Sequence, residues 1–426
     1  MKRIHIANGH LIDPANRIDG KHDVYIAEGR VLSIDVAPDG FEADTTIDAR
    51  GYIVCPGLVD LRAHLREPGE EHKATIASET RAAVSGGITT LCCPPTTIPV
   101  IDTPAVDTLI RRRAKDCGLS HVVTLGAMTQ NLDGTHLSEM AALKSAGCVG
   151  ISNDRRKLKN NRIRRRAFEY AATFGLKVFL HPEDSGLADD GCMHEGIIST
   201  RLGLPGIPES AETVALARDL ILIEETGVSA HFCQLSSGRA IGMIADAQKR
   251  GLAVSADVAA HHLYLSEHDV GYFNSSCHVL PPLRTLRDQS LLQQGTARGT
   301  IGAICSGHAP HEADAKLAPF NETSPGISGL ETLLPLCLRL HHDLGVSLSD
   351  ILAKLTSTPA RILGLDRGQL GVGAIADICI FDPEQRWVFN KEEMLSAGKN
   401  TPFSGWEFKG KVQHCLVNGK IVYSLS

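Results

Sequence analysis

Long apolar runs are absent from this sequence of 426 residues. No stretch approaches 18 consecutive apolar residues, so we expect no membrane-spanning helix. No apolar segment follows the basic pair Lys2 and Arg3, so we expect no secretory signal. A strong charge bias is also missing, because 43 Lys and Arg face 49 Asp and Glu for a net charge of −6. Composition therefore gives no reason to expect a nucleic acid or a membrane surface as a partner.

The cysteines lack the spacing of a structural metal site. None of the twelve belongs to a C-x-x-C motif, and apart from Cys92 and Cys93 they are scattered singly, many of them in apolar runs. This pattern is typical of buried, reduced thiols and not of a disulfide framework or a structural zinc site. We therefore expect a cytoplasmic protein.

What the sequence does contain is a regular alternation of two kinds of segment. Eight short apolar runs are each followed by a stretch with apolar residues at helical spacing. The runs cover residues 57–64, 87–93, 121–127, 148–152, 176–182, 228–234, 252–258 and 300–306. Eight consecutive β–α units predict an α/β fold, a (β/α)8 barrel of the TIM type.

The two ends of the chain have a different pattern. Apolar and polar residues alternate there, with Gly and Asp-Pro turns between the segments, which indicates β-strands. We expect strands near residues 2–8, 22–27, 30–35, 376–381 and 411–423. The prediction is a small composite β-sandwich domain formed by residues 1–55 and 365–426, beside a barrel formed by residues 56–364.

Polar side chains lie at the predicted carboxyl ends of the barrel strands, where such barrels carry their reactive groups. In chain order, the residues at these strand ends are Arg62, His64, Thr96, Asn153, Asp154, His181, Gln234, His261, His262, Gly307, His308 and His311, all of them polar except Gly307. A single histidine at a strand end is more often simply hydrogen-bonded than a ligand. Several that converge on one face instead favour the layout of a metal hydrolase, because neutral imidazoles can hold zinc.

Sequence motifs around these positions match a known family in order. The matching segments are PGLVDLRAHLREPG (56–69), GGITTL (86–91), HPEDSGLADDGCMHEG (181–196), LPGIPESAE (204–212), AAHHLYLSEHD (259–269), PPLRTLRD (281–288), HAPHEADAK (308–316) and NTPFSGW (400–406). Over essentially its full length, the chain resembles the dihydroorotases of the amidohydrolase superfamily. The resemblance implies a barrel with a composite β-sandwich. It also implies, for the family's active members, reversible hydrolysis of the cyclic amide dihydroorotate to carbamoyl-aspartate.

The catalytic positions that this resemblance assigns are only partly kept. His64 and His181 match as residual metal ligands, but the family's other two metal-binding histidines are replaced by Arg62 and Gln234. The family's catalytic aspartate is replaced by Gly307, so no catalytic residue remains. We expect the metal site to be empty and no cofactor to be needed.

At the other site positions, some residues match those of the family and others differ. Asp154 lies near the position of the family's bridging carboxylate and is a potential third ligand. Arg66 and His311 match the family's substrate-binding residues and predict a vestigial pocket. Thr96 and Leu280 stand where the family has asparagine.

Elementary electrostatics makes the change at Arg62 decisive. An arginine stays protonated in proteins, so it offers a permanent positive charge where a ligand should offer a lone pair. At about 4 Å and an effective dielectric constant near 20, it repels a divalent ion by about 8 kcal/mol. Without the carboxylate at position 307, the general base is also missing, which alone is worth about 10²–10⁴-fold in rate.

A basic run follows the fourth predicted barrel strand. Residues 155–166 include eight Lys or Arg among twelve positions, from Arg155 to Arg166. One interpretation is a solvated helix start, because charge runs are usually surface. The alternative is a patch on the barrel rim that faces an anion or a protein.

Two functional hypotheses follow. The first is a non-catalytic, dihydroorotase-like protein of pyrimidine biosynthesis, serving as a structural or assembly subunit of aspartate carbamoyltransferase. The expected partner is then that enzyme's catalytic chain in a hetero-oligomer, with a homo-oligomer left open. The second is an active zinc-dependent dihydroorotase, or a related cyclic amidohydrolase, with a reduced one-metal site formed by His64, His181 and Asp154.

Overall fold

The computed structural model describes residues 2–425, which form 18 strands and 12 α-helices. The strands are β1 (Ile4–Asp13), β2 (Ile18–Ala27), β3 (Arg30–Ile34), β4 (Thr45–Asp48), β5 (Ile53–Pro56), β6 (Leu58–Asp60), β7 (Ile88–Cys93), β8 (His121–Ala127), β9 (Gly150–Ser152), β10 (Val178–Leu180), β11 (Met193–His194), β12 (Gly206–Ile207), β13 (Ala230–Phe232), β14 (Val254–Ala259), β15 (Ala303–Cys305), β16 (Ile378–Val388), β17 (Glu407–Val417) and β18 (Lys420–Ser424). The helices are α1 (Ile76–Ser85), α2 (Pro104–Cys117), α3 (Met140–Ala146), α4 (Asn161–Thr173), α5 (Ser185–Ala188), α6 (Ile197–Leu202), α7 (Glu209–Thr226), α8 (Gly238–Lys249), α9 (Leu286–Ala297), α10 (Leu333–Leu344), α11 (Leu348–Leu355) and α12 (Ser357–Leu363). Among the described residues, no helix is both long and apolar enough to cross a bilayer.

Eight parallel strands form the barrel, in the order β15-β14-β13-β10-β9-β8-β7-β6. Just beyond the ends of β6 and β15, a parallel bridge between Ala63 and His308 joins the first and last strands. Seven of the eight predicted apolar runs contain one of these strands, and the run 252–258 contains all of β14 except Ala259. The predicted barrel is therefore confirmed, and β11 and β12 form a small separate pair.

A second sheet joins the two ends of the chain. Its order is β18-β17-β16-β5-β1-β2-β3, and β4 pairs with β1. Strand β5 connects the two halves because it pairs in parallel with β1 and antiparallel with β16. The predicted composite β domain is thus present, while its boundaries at residues 55 and 365 stay a prediction.

Aromatic packing links this sheet domain to the barrel. Trp406, just before β17, packs edge-on against Phe403 with ring centroids 5.0 Å apart. The guanidinium carbon of Arg339 on helix α10 lies 5.4 Å from the centroid of the Trp406 ring. Cation–π and aromatic contacts of this kind add to the burial of apolar area. They help hold the sheet domain against helix α10 of the barrel.

Candidate functional site

A cavity of about 670 Å³ opens at the carboxyl ends of the barrel strands. The site residues predicted from sequence that line it are Arg62, His64, Arg66, Thr96, Asp154, Gln234, His261, Leu280, Gly307 and His311. His181 lies behind Arg62, in contact with it. These ten are fewer than half of the 23 residues that line the cavity.

The guanidinium of Arg62 lies at the centre of this cluster. Its Nη1 donates to Asp154 Oδ1 at 2.5 Å and to His181 Nε2 at 2.8 Å, and its Nη2 donates to His64 Nε2 at 3.2 Å. The segment that carries Arg62 and His64 is fixed by the bridge at Ala63 and by a hydrogen bond from the His64 amide to the His308 carbonyl at 2.9 Å. One arginine thus contacts all three side chains that could have formed a one-metal site.

Burial makes these contacts strong. The Arg62 and Asp154 side chains are 9% and 8% exposed. Burial alone would raise the pKa of Asp154, but the Arg62 guanidinium holds that pKa well below its ordinary value. Burial, followed by the charge of Arg62, lowers the pKa values of His64 and His181 well below the ordinary value. Both imidazoles are therefore neutral beside a permanent ion pair.

Zinc does not fit this arrangement. A zinc ion coordinates the imidazole lone pair at about 2.0–2.1 Å. In His64 and His181, the Nε2 lone pairs already accept hydrogen bonds from Arg62. A metal ion could take these ligands only if Arg62 left its buried carboxylate partner, and breaking such a pair costs about 3–5 kcal/mol.

Gln234 and Gly307 occupy neighbouring positions that fit one another. Both have positive φ, +53° at Gln234 and +60° at Gly307. A Cβ added at Gly307 would lie 2.8 Å from Gln234 Nε2 and 3.0 Å from His261 Cε1. The Gln234 side chain thus fills space that a side chain at position 307 would need, and Gly307 offers no carboxylate to act as a base.

The pair Arg66 and His311 is assembled on the other side of the cavity. Arg66 Nη2 lies 3.0 Å from His311 Nε2, and Arg66 also donates to the Pro310 carbonyl at 3.0 Å and to Glu70 at 2.9 Å. Burial, followed by the charge of Arg66, lowers the pKa of His311 to about 3. Arg66 thus already uses three of its five N–H donors on groups of the chain itself.

Two of the predicted strand-end histidines lie outside the site. His262 is hydrogen-bonded to the Pro281 carbonyl at 3.0 Å. His308 is buried against Glu79, with its Nε2 2.7 Å from the carboxylate. Both are structural contacts, as expected for most single histidines at strand ends.

The sequence reasoning missed a buried polar group inside the barrel. His231 Nε2 lies 2.9 Å from Asp257 Oδ2, and its Nδ1 lies 2.8 Å from Ser255 Oγ. Three residue types of this group, His, Cys and Asp, can bind metal ions. Among the His, Cys, Asp and Glu side chains of residues 2–425, only His231, Cys233 and Asp257 form a group of three whose potential ligand atoms all lie within 4.8 Å of one another. Both ring nitrogens of His231 already have partners, so the group is a satisfied network. The available signal was the alternation of His231, in β13, with Cys233, the residue that follows this strand.

Part of the basic run at residues 155–166 is neutralised by ion pairs with carboxylates elsewhere in the chain. Arg155 pairs with Glu183 at 3.2 Å, Arg164 with Asp219 at 3.2 Å and Arg165 with Glu225 at 2.8 Å. In the part of the chain that the structure describes, five exposed cations of the run make no ion pair: Arg156, Lys157, Lys159, Arg162 and Arg166. The patch on the rim is therefore smaller than predicted.

Comparison with solved structures defines the class of fold. The L-hydantoinase (dihydropyrimidinase) of Arthrobacter aurescens superposes with a TM-score of 0.88 at 23% identity, over 100% of this chain and 98% of that chain. The D-hydantoinase of a Thermus species gives a TM-score of 0.85 at 21% identity, over 99% and 95% of the two chains. The fold is thus that of the hydantoinases, a barrel with an added sheet domain.

Comparison of sequences defines the family. A family model described as dihydro-orotase-like matches residues 51–240, and one described as amidohydrolase family matches residues 329–423. A dihydroorotase-like protein of Pseudomonas putida is 49% identical over 420 residues, covering 99% of each chain. A protein of Syntrophus aciditrophicus named dihydroorotase is 43% identical over 422 residues, again covering 99% of each chain. The chain belongs to the dihydroorotase-like family of the amidohydrolase superfamily.

Proposed function

We propose that this chain is a non-catalytic member of the dihydroorotase family that serves pyrimidine biosynthesis as a structural subunit of aspartate carbamoyltransferase. The observation that carries the proposal is the position of Arg62, whose guanidinium donates hydrogen bonds to His64, His181 and Asp154. Those groups cannot bind a metal ion while they bind the arginine. Gly307 adds a second defect, because it supplies no base to accept a proton from water.

The alternative is a hydrolase with a one-metal site formed by His64, His181 and Asp154. It draws on the relatives named dihydroorotase, which are 41–43% identical to this chain. It requires Arg62 to leave the site whenever zinc binds. The two proposals therefore differ in one measurable property, the affinity of the intact chain for zinc.

Activity and metal content test the proposal together. We expect the purified protein, with or without added zinc, neither to open dihydroorotate nor to close carbamoyl-aspartate above background. Elemental analysis should find only a trace of zinc per chain. A turnover within the usual enzymatic range of about 1–10³ per second, or one full equivalent of zinc, would establish the alternative.

The variant Arg62→His provides the positive control for zinc. It removes the guanidinium and returns an imidazole beside His64, so we expect it to bind zinc much more tightly than the natural chain. We expect it to stay inactive, because Gly307 still lacks a carboxylate. Restoring hydrolysis should require Arg62→His, Gln234→His and Gly307→Asp together, and rescue by any one of these changes would contradict this assignment of the site.

The proposed partnership draws on what the chain keeps. The barrel and the sheet domain are both formed, while the residues for catalysis are replaced. This combination is expected of a protein whose folded domains support an assembly and whose active site is not used. The unpaired cations on the rim offer one surface for carboxylates of a partner. Such peripheral charges mainly speed encounter and set the salt dependence, whereas affinity rests on buried anchors.

Size-exclusion chromatography of a mixture with aspartate carbamoyltransferase from the same organism tests the partnership. We expect a large complex that weakens as salt rises. Charge reversal at the unpaired Arg162 and Arg166 should slow association if the rim lies in or near the interface. The matched control is reversal of Lys115 and Arg298, which lie at the carboxyl ends of α2 and α9, on the opposite face of the barrel. Separate elution at low salt would rule out the partnership, and equal association by both double variants would rule out only the rim.

A further inference from the structure

A second cavity, of about 250 Å³, lies beside the barrel mouth. It is bounded by the loop at residues 155–160, the start of helix α4 and the end of strand β10. Asp154, Arg155 and Arg156 line both this cavity and the larger one. Six cationic side chains line the smaller cavity: Arg155, Arg156, Lys157, Lys159, Arg164 and Arg218.

The charge of this cavity is not balanced by the chain. Three of the cations have carboxylate partners: Arg155 pairs with Glu183, Arg164 with Asp219 and Arg218 with Asp184. Arg156, Lys157 and Lys159 make no ion pair within residues 2–425. The start of the 13-residue helix α4 adds the positive end of its dipole, because Asn160 and Asn161 line the same cavity. An anion would be attracted to this space.

Two residues that line the cavity each carry a buried nitrogen without a hydrogen-bond partner. One is Arg164 Nε, which can only donate a hydrogen bond. The other is Nδ1 of His181, whose side chain is only 2% exposed. Because Arg62 donates to Nε2 of this ring, the neutral imidazole carries its proton on Nδ1, and this atom lies 3.5 Å from Asp154 Oδ1 without hydrogen bonding to it. Both unpartnered groups are donors, so both call for an acceptor.

We propose that this cavity binds the phosphoryl group of a small phosphorylated molecule. A phosphoryl dianion offers three acceptor oxygens and about two negative charges, which matches the three unpaired cations that line the cavity. The volume is slightly below the range of about 300–1,000 Å³ for pockets that hold drug-sized ligands. It leaves room for the phosphoryl group and a few further atoms. The proposal does not depend on whether the barrel hydrolyses a substrate or assembles with a partner.

Isothermal titration calorimetry with inorganic phosphate and with pyrophosphate, on the full chain at low ionic strength, tests the site. We expect saturable binding of one anion per chain. The double variant Lys157→Gln and Lys159→Gln should weaken binding by at least about tenfold, since a hydrogen bond to a charged group is worth about 1.5–3 kcal/mol. All the substituted side chains are exposed, so the variants should fold, and an unchanged melting temperature without phosphate would verify this.

The matched control is Arg162→Gln with Arg166→Gln. This pair removes the same charge from the same segment, but neither residue lines the cavity. We expect its affinity for phosphate to stay within about twofold of the natural chain. Equal losses in the two double variants would show only diffuse attraction to the basic run. That result, or the absence of saturable binding to the natural chain, would overturn the proposal.

Discussion

Replacing Arg62 by methionine should strongly destabilise the protein at neutral pH. The substitution leaves Asp154 as a buried, uncompensated carboxylate, since both side chains are less than one tenth exposed. Breaking a buried pair by removing one partner costs about 3–5 kcal/mol. We expect a loss of this size in the free energy of unfolding, measured by urea denaturation at about pH 7. The control is Arg165→Met, which removes a cation that is 46% exposed and pairs with exposed carboxylates, and which should cost about 0–1 kcal/mol.

The pH dependence of this loss has a defined sign. In the natural chain, the folded-state pKa of Asp154 lies below its unfolded value of about 3.9. The ion pair therefore stabilises the protein above that pH, and its contribution is lost as the pH falls towards the folded pKa. Without Arg62, burial raises the pKa of Asp154 instead. Protonation of Asp154, or of His181 nearby, then relieves the variant as the pH falls, so its deficit relative to the natural chain should shrink between about pH 7 and pH 5.

A second substitution separates the charge from the packing. Asp154→Asn in the Arg62→Met background removes the uncompensated charge, and asparagine tolerates the positive φ of +50° at this position. We expect it to recover much of the lost stability. If Arg62→Met cost less than about 1 kcal/mol, or if Asp154→Asn gave no recovery, the assignment of Arg62 as the cation that neutralises this site would be refuted.

Two further predictions concern other parts of the site and core. Gly307→Asp alone should lower the free energy of unfolding by about 1–3 kcal/mol in urea denaturation, because its Cβ would approach Gln234 Nε2 to 2.8 Å. Adding Gln234→Ala should recover part of this loss. An unchanged denaturation midpoint for the single variant would contradict the close fit of these two residues. Of the twelve thiols, only Cys117 is not fully buried. One thiol per native chain should therefore react rapidly with a thiol reagent, and Cys117→Ser should abolish that phase, whereas several fast thiols would contradict the packing.

The barrel could be predicted from sequence because each of its eight strands is a short apolar run followed by a helical segment. The residues at the strand ends could be predicted for the same reason, since parallel strands bring their carboxyl ends to one face. Arg62, His64 and His181 thus converge as expected. The sequence could not show that the Arg62 side chain turns inward onto both histidines, because its direction depends on Asp154, which is 92 residues away.

The basic run shows a second limit of the same kind. From sequence, residues 155–166 appear as an unbroken cluster of charge, because their partners are distant along the chain. Arg155 pairs with a residue 28 positions away, Arg164 with one 55 positions away and Arg165 with one 60 positions away. Local patterns predict where a charge lies, but only the packing of helices and loops determines which charges are neutralised.

The replaced site residues work as a set. A buried carboxylate needs a cation and two imidazole lone pairs need hydrogen-bond donors, and Arg62 supplies both. Gln234 fills the space beside Gly307, so the loss of one side chain is matched by the placement of another. The top of the barrel is therefore held together by side chains of the chain itself. A site closed by its own side chains suits the proposed structural subunit, which needs a stable surface. It does not suit a hydrolase, which must exchange substrate and water at an open metal site.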